Sequence, residues 1–217
     1  MGSLWLYAIA IDEVRDVFGA DEADAAALRA IAAERFAPPP APHVGLLDKV
    51  GPLFRRQAGS PVRRPDLPDG LDVERLLTGR HVPPERLAAS WTLLRSWLDA
   101  KAWSSYEATL DEAAVKALDF DLARAGAPAH FALGSLLSRD LGIALRTAPG
   151  MAAGYSRGTH VLAAKQAWDD VVDRLEPTHQ QQITRLLAWL GLFEEWTRAA
   201  PLLRREPPDL VAIWLAG

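Results

Sequence analysis

The chain of 217 residues contains no cysteine. It can therefore form neither disulfides nor thiolate metal ligands, and such a composition is compatible with a thiol-reducing compartment. An excess of basic residues is also missing, because 24 Lys and Arg stand against 28 Asp and Glu, for a formal net charge of −4. Nucleic-acid binding depends on clustered, uncompensated cations, so we expect no nucleic-acid partner.

Long apolar runs are absent as well. The first run, Leu4 to Ile11, is interrupted by Asp12 and Glu13, and no Lys- or Arg-rich segment precedes it. This is too short for a membrane span or the core of a secretion signal. We therefore predict a cytoplasmic protein without a membrane partner.

Complete metal and cofactor signatures are missing too. None of the five histidines lies three or four residues from another, the spacing that places two imidazoles on one helix face. No glycine-rich phosphate or dinucleotide loop is present. We predict no metal site and no cofactor.

Two apolar segments with the character of β-strands lie at the ends of the chain, at residues 4–11 and 209–215. Each needs a partner strand, and the other segment is the simplest one. Most of the chain between them shows helical spacing of apolar residues, with Ile143 to Leu145 as a third short strand. We predict a single domain over residues 1–217 of the α+β class, mostly α-helical, with helices packed around a small sheet that includes the N- and C-terminal strands.

Local signals refine this organisation. Asp12 is positioned to cap a first helix, and helices are expected from Asp21, from Pro84, from Asp111, after Thr159 and from Pro177. Residues 57–70 carry three prolines and two glycines, which predicts a flexible surface loop.

The segment Gly154 to Gly158 matches the G-x-S-x-G pattern that exposes a nucleophilic serine, here Ser156, between a strand and a helix. His179 follows it, with aspartates between, in the order found in α/β-hydrolases. The residues before Gly154 do not read as a buried strand, so we favour a glycine-rich turn over a nucleophile elbow.

Asp119 and Asp121 are further catalytic candidates, because they flank Phe120 among apolar residues where a carboxylate can be half-buried. Paired carboxylates in a dry cleft shift each other's pKa and can divide acid and base roles. The alternative is that both carboxylates lie on a solvent-exposed helix face and have no catalytic role, which is the commoner case for such pairs.

Candidate substrate-binding residues come from the tryptophans and arginines. Of eight tryptophans, Trp91, Trp168 and Trp189 fall on apolar stripes and are assigned to the core. Trp97 and Trp103 are candidates for a ligand pocket or partner surface, as is Tyr155 next to Ser156. Arg55 and Arg56 border the predicted loop and could hold an anionic substrate group.

Several short motifs resemble the YfbM-like group of bacterial domains of unknown function and its actinobacterial relatives. They lie at residues 12–14, 76–79, 109–115, 148–156 and 209–213. The resemblance implies a mixed domain with helices around a small sheet, and it implies no activity. Residues 57–70 do not fit that pattern, so a specialised function could reside there.

Two functional hypotheses follow. The first is an accessory or interaction protein that binds a small molecule or a partner protein, such as an immunity-type or pathway accessory subunit. The second is a cofactor-independent enzyme of specialised metabolism, a cyclase, lyase or hydrolase that uses carboxylate acid–base chemistry on an anionic substrate. An apolar pocket that contains a half-buried carboxylate and an arginine would favour the enzyme.

Overall fold

An antiparallel sheet occupies the centre of the computed structural model, which describes residues 2–36 and 67–216 except the side chains of Leu136 and Leu137. Within these residues the sheet has four strands, in the order β2-β1-β4-β3. The strands are β1 (Ser3–Ile9), β2 (Ser104–Thr109), β3 (Met151–Ser156) and β4 (Asp209–Leu215).

The terminal strands β1 and β4 lie side by side as the two inner strands. Their register runs from Ser3 opposite Leu215 to Ile9 opposite Asp209. This confirms the predicted α+β class, with helices around a small sheet that contains both terminal strands.

Helices connect the strands and cover both faces of the sheet. They are α1 (Ile11–Asp16), α2 (Glu22–Phe36), α3 (Gly70–Leu77), α4 (Leu87–Lys101), α5 (Glu112–Ala125), α6 (Gly158–Asp169), α7 (Pro177–Leu190) and α8 (Phe193–Ala199). Most of them lie where helices were predicted, but α4 begins three residues after the predicted Pro84, and α8 was not predicted as a separate helix. Short 3-10 turns at 84–86, 129–131, 133–137, 172–174 and 200–203 complete the connections.

Alternation along β1 divides the interior into two cores. Leu4, Leu6 and Ala8 pack with residues of α5 to α8, whereas Tyr7 and Ile9 pack with residues of α1 to α4. Successive side chains of a strand point to opposite faces, so a strand that is apolar at every position is buried on both. We call these two faces the α5–α8 side and the α1–α4 side.

The carboxylate of Asp209, at the start of β4, joins three elements. Its Oδ2 accepts hydrogen bonds from the backbone N–H of Ile11 at 3.2 Å and from Arg157 Nη1 at 3.0 Å, and its Oδ1 accepts from Gly158 N–H at 2.9 Å. Ile11 and Gly158 are the first residues of α1 and α6, where backbone N–H groups lack helical partners and the helix dipole favours negative charge. One buried side chain therefore connects the starts of two helices to the sheet.

One predicted helix cap is wrong, because α1 begins at Ile11, before Asp12. Asp12 does not cap α1: the N-cap is Ala10, which makes no side-chain cap, and Asp12 instead pairs with Arg15 at 3.0 Å. At the start of α1 it is the N–H of Ile11 that a side chain accepts, and this side chain is Asp209, 198 positions away in the chain.

The predicted strand at Ile143 to Leu145 is wrong, since this segment is an irregular loop. Leu145 is buried and Ile143 half-buried in the core of the α1–α4 side, Ala144 is exposed, and none of the three pairs in the sheet. The remaining strands are β2 and β3, which have few large apolar residues and so gave a weak signal.

The predicted flexible loop at 57–70 lies mostly outside the described residues. The described part leads into α3, where Asp69 forms a capping box with Asp72. Among the helices of the described ranges, none is long and apolar enough to cross a membrane.

We expect Asp209→Ala to lower the free energy of unfolding by about 2–4 kcal/mol, because two buried amides and Arg157 lose their acceptor. Urea denaturation followed by circular dichroism measures the change. Glu195→Ala, at an exposed position of α8, is the control and should stay within about 0.5 kcal/mol of the unmodified protein. Equal stability of the two variants would contradict this role of Asp209.

Candidate functional site

A groove of about 640 Å³ opens on the α1–α4 side of the sheet. One wall comes from the start of α4 and the turn before it, with Pro84, Leu87 and Trp91. The opposite wall is the loop 140–149, and Ala153 of β3 contributes to the lining. Its volume falls within the range of about 300–1,000 Å³ that is typical of small-molecule sites.

Local interactions hold the loop 140–149 against α4. The indole N–H of the buried Trp91 donates to the carbonyl oxygen of Arg146 at 2.8 Å. Gly142 has a φ of +69°, in the left-handed region that favours glycine, and its N–H donates to Asp140 Oδ1 at 2.6 Å. The buried Leu141 and Leu145 anchor the same loop in the core of this side.

A cluster of cations surrounds Tyr155 on the same strand as Ala153. The guanidinium carbons of Arg15, Arg139 and Arg157 lie 5.4, 5.6 and 5.6 Å from the centre of the Tyr155 ring. These distances are within the range of cation–π attraction. The attraction to the Tyr155 ring thus offsets part of the repulsion between the three guanidinium groups.

Only some of these cations have carboxylate partners. Arg15 pairs with Asp12 at 3.0 Å, and Arg157 with Asp209 at 3.0 Å. Arg139, and Arg146 in the groove wall, form no ion pair with any residue in 2–36 or 67–216. The four arginines of this region stand against three carboxylates, those of Asp12, Asp209 and the groove residue Asp140, so the excess is one positive charge in a protein whose formal net charge is −4.

The predicted catalytic residue Asp121 lies on the α5–α8 side, away from the groove lining. Its Oδ1 accepts from Arg124 Nη2 at 2.7 Å, and its Oδ2 accepts from the Glu176 N–H at 2.8 Å and lies 2.9 Å from His179 Nδ1. Burial acts to raise the pKa of Asp121, but the hydrogen bonds from His179, Glu176 and Arg124 outweigh burial and hold it at about 2. This carboxylate connects α5 to the start of α7.

Asp119 binds a different segment of the chain from the one that Asp121 binds. Its two oxygens accept the backbone N–H groups of Leu133 and Gly134, the latter at 3.0 Å, so it anchors the 3-10 turn at 133–137. Burial raises the pKa of Asp119, although these two amides act in the opposite direction. Asp119 and Asp121 therefore contact separate segments and do not share a cleft.

Ser156 ends β3, two residues before α6 begins, and it is buried. The predicted glycine-rich turn is thus wrong in part, because a strand does precede this serine. That strand is at the edge of an antiparallel sheet, unlike the inner parallel strand of a hydrolase elbow. His179 contacts Asp121 instead of Asp169, Asp170 or Asp173, the aspartates that lie between Ser156 and His179 in sequence.

The two predicted tryptophans lie in different cores. Trp97 is buried on the α1–α4 side, and Trp103 packs on the α5–α8 side with the Arg205 guanidinium 4.8 Å from its ring. Neither lines the groove, and neither indole N–H has a hydrogen-bond partner among the described residues. Arg55 and Arg56 lie outside the described residues.

Tyr155 stays a predicted substrate-binding residue, and the three arginines around its ring were not predicted. Trp91 was predicted to be a core residue; it is buried, but it also lines the groove. No pattern in the sequence distinguished Arg139 and Arg146 from the other arginines. The signal that could have found the groove was the turn-forming pair Asp140 and Gly142 at the start of a run expected to be a strand. In the described part of the chain, no group of three or more histidine and acidic side chains is arranged to hold a metal ion.

We expect Asp121→Asn to make the protein less stable at neutral pH by about 1–2 kcal/mol. The pKa of Asp121 is about 2 in the folded state and 3.8 as its ordinary value. Its contribution is therefore fully present above about pH 4 and is lost as the pH falls towards about 2. Urea unfolding at several pH values should show that the difference in free energy of unfolding between Asp121→Asn and the unmodified protein becomes smaller over this range.

Asp16→Asn is the control, since Asp16 is exposed at the end of α1. Its stability should follow that of the unmodified protein at every pH. If the difference in free energy of unfolding between Asp121→Asn and the unmodified protein stays constant between about pH 6 and pH 3, the role assigned to Asp121 is contradicted.

Comparison with known proteins finds no matching family model, no matching curated protein and no matching solved structure. The resemblance to the YfbM-like group stays a prediction. The function is therefore argued from the geometry of the groove and of the residues around Tyr155.

Proposed function

We propose that this protein binds a small, mainly apolar molecule in the groove between α4 and the loop 140–149, and acts as a small-molecule-binding accessory protein. The observation that carries the proposal is the groove itself, about 640 Å³ in volume and lined largely by apolar side chains around the buried Trp91. Apolar walls with a few polar groups are typical of ligand sites.

The lining favours a ligand with a flat or ring-shaped apolar part. Trp91 offers an indole at the groove, and Leu87, Ile143 and Leu145 supply aliphatic contacts around it. The hydrogen bond from Trp91 to the Arg146 carbonyl holds the indole in place before a ligand arrives. A preformed apolar surface of this kind loses little entropy on binding.

Binding is favoured over the acid–base enzyme by the positions of the predicted catalytic residues. Asp119, Asp121 and Ser156 do not line the groove. Both oxygens of each aspartate already accept hydrogen bonds that hold the fold together. A general acid or base must instead reach its substrate within hydrogen-bond distance.

The cellular setting is part of the same proposal. The cysteine-free composition supports a cytoplasmic protein. The formal net charge of −4 supports a small-molecule partner over a nucleic acid.

We expect phenylnaphthylamine, an uncharged fluorescent probe with two aromatic ring systems, to bind the protein saturably at one site. Ala153→Phe, which places a ring in the groove, should weaken binding by about tenfold or more, because the added side chain occupies the space of the probe. Fluorescence titration measures both affinities, and circular dichroism checks that the variant is folded.

Ala123→Phe is the control, with the same substitution at an exposed position of α5 on the other side of the sheet. It should bind the probe as the unmodified protein does. Absence of saturable binding, or equal affinity of the unmodified protein and Ala153→Phe, would overturn the proposal.

A further inference from the structure

We infer that the ligand of the groove carries an oxyanion such as a carboxylate, and that Arg139 binds this group beside Tyr155. The inference rests on the proposed function, because it assigns the ligand class for the same groove. It thereby defines the ligand as an apolar organic acid.

The first step is the position of Tyr155 relative to the groove. Ala153 lines the groove, and Tyr155 lies two residues further along β3. Alternate residues of a strand share a face and lie about 7 Å apart. Both pack on the α1–α4 side, so the Tyr155 ring lies next to the groove although it is not part of the lining.

The second step is the path of the chain from Arg139 into the groove wall. The backbone N–H of Tyr155 donates to the Arg139 carbonyl at 3.0 Å, which fixes Arg139 to the edge of β3. Leu141, two residues later, lines the groove, and its carbonyl accepts from Arg15 Nε at 2.8 Å. Arg139 and Arg15 are therefore held beside Tyr155, next to the groove.

The third step is the balance of charge. Three guanidinium groups surround the Tyr155 ring, and the carboxylates that pair with them belong to Asp12 and Asp209. Asp209 also accepts the N–H groups of Ile11 and Gly158, so its charge is shared with two helix starts. Arg139 is exposed and forms no ion pair in the described ranges, not even with the neighbouring groove residue Asp140, whose Oδ1 accepts the Gly142 N–H.

An anionic group would supply the missing partner. An arginine binds a carboxylate or sulfonate through charge-assisted hydrogen bonds, and does so in a fixed fork geometry. A molecule whose apolar part lies against Trp91 and whose oxyanion reaches Arg139 matches both the lining and the charge of this region. Arg146, in the opposite wall, is the rival position for that anion.

Two probes test the inference: phenylnaphthylamine and anilinonaphthalene sulfonate, which share the same ring systems and differ in the sulfonate. We expect the unmodified protein to bind the sulfonate about tenfold more tightly. Arg139→Gln should remove that preference and leave the affinity for phenylnaphthylamine within about twofold, since only the charged group contacts the arginine.

Arg198→Gln, with the same loss of charge at an exposed position of α8 on the other side of the sheet, is the matched control. It should keep the preference for the sulfonate within about threefold. The preference should also shrink as salt is added, because Arg139 is exposed and its charge is screened.

The outcomes separate the two proposals. Equal affinity of the unmodified protein for both probes would overturn the oxyanion inference and leave the proposed function standing. If Arg146→Gln reduces the preference for the sulfonate probe as much as Arg139→Gln does, the assignment of the anion to Arg139 is overturned. Binding of neither probe would mean that the proposed function itself has failed.

Discussion

The antiparallel pairing of β1 with β4 is the interaction on which the rest of the structure depends. These strands come from the two ends of the chain, yet they are the inner strands of the sheet and supply residues to both cores. Asp209 adds a second constraint at the same place, because its carboxylate holds the first turns of α1 and α6 against the start of β4. The layers on both sides are built on this central pair.

The position of the groove follows from that arrangement. β3 pairs only with β4 in the described sheet, and it places Ala153 and Tyr155 on the α1–α4 side at the edge of the sheet. The loop 140–149 then packs between this edge and α4, where the Trp91 indole binds its backbone. The groove is therefore the gap between a helix and an edge strand, partly closed by a loop.

Charged residues serve two different purposes in this protein. Asp119, Asp121 and Asp209 bind backbone N–H groups of distant segments, which connects elements of the fold and consumes their hydrogen-bonding capacity. Arg146 lines the groove and Arg139 lies beside Tyr155, and neither forms an ion pair within the described ranges. The carboxylates thus stabilise the fold, whereas we propose a ligand-binding role for Arg139.

The sequence by itself determined the terminal strands, the class of the fold and most helices, because apolar periodicity and turn residues act over a few neighbouring positions. It also suggested Tyr155 as a candidate substrate-binding residue. Only the tertiary structure decided that Asp209 accepts the Ile11 N–H at the start of α1, that Ile143 to Leu145 is a loop, and that Met151 to Ser156 is a strand. Those outcomes, and the meeting of Arg15, Arg139 and Arg157 around one ring, depend on contacts between distant segments, which no local pattern specifies.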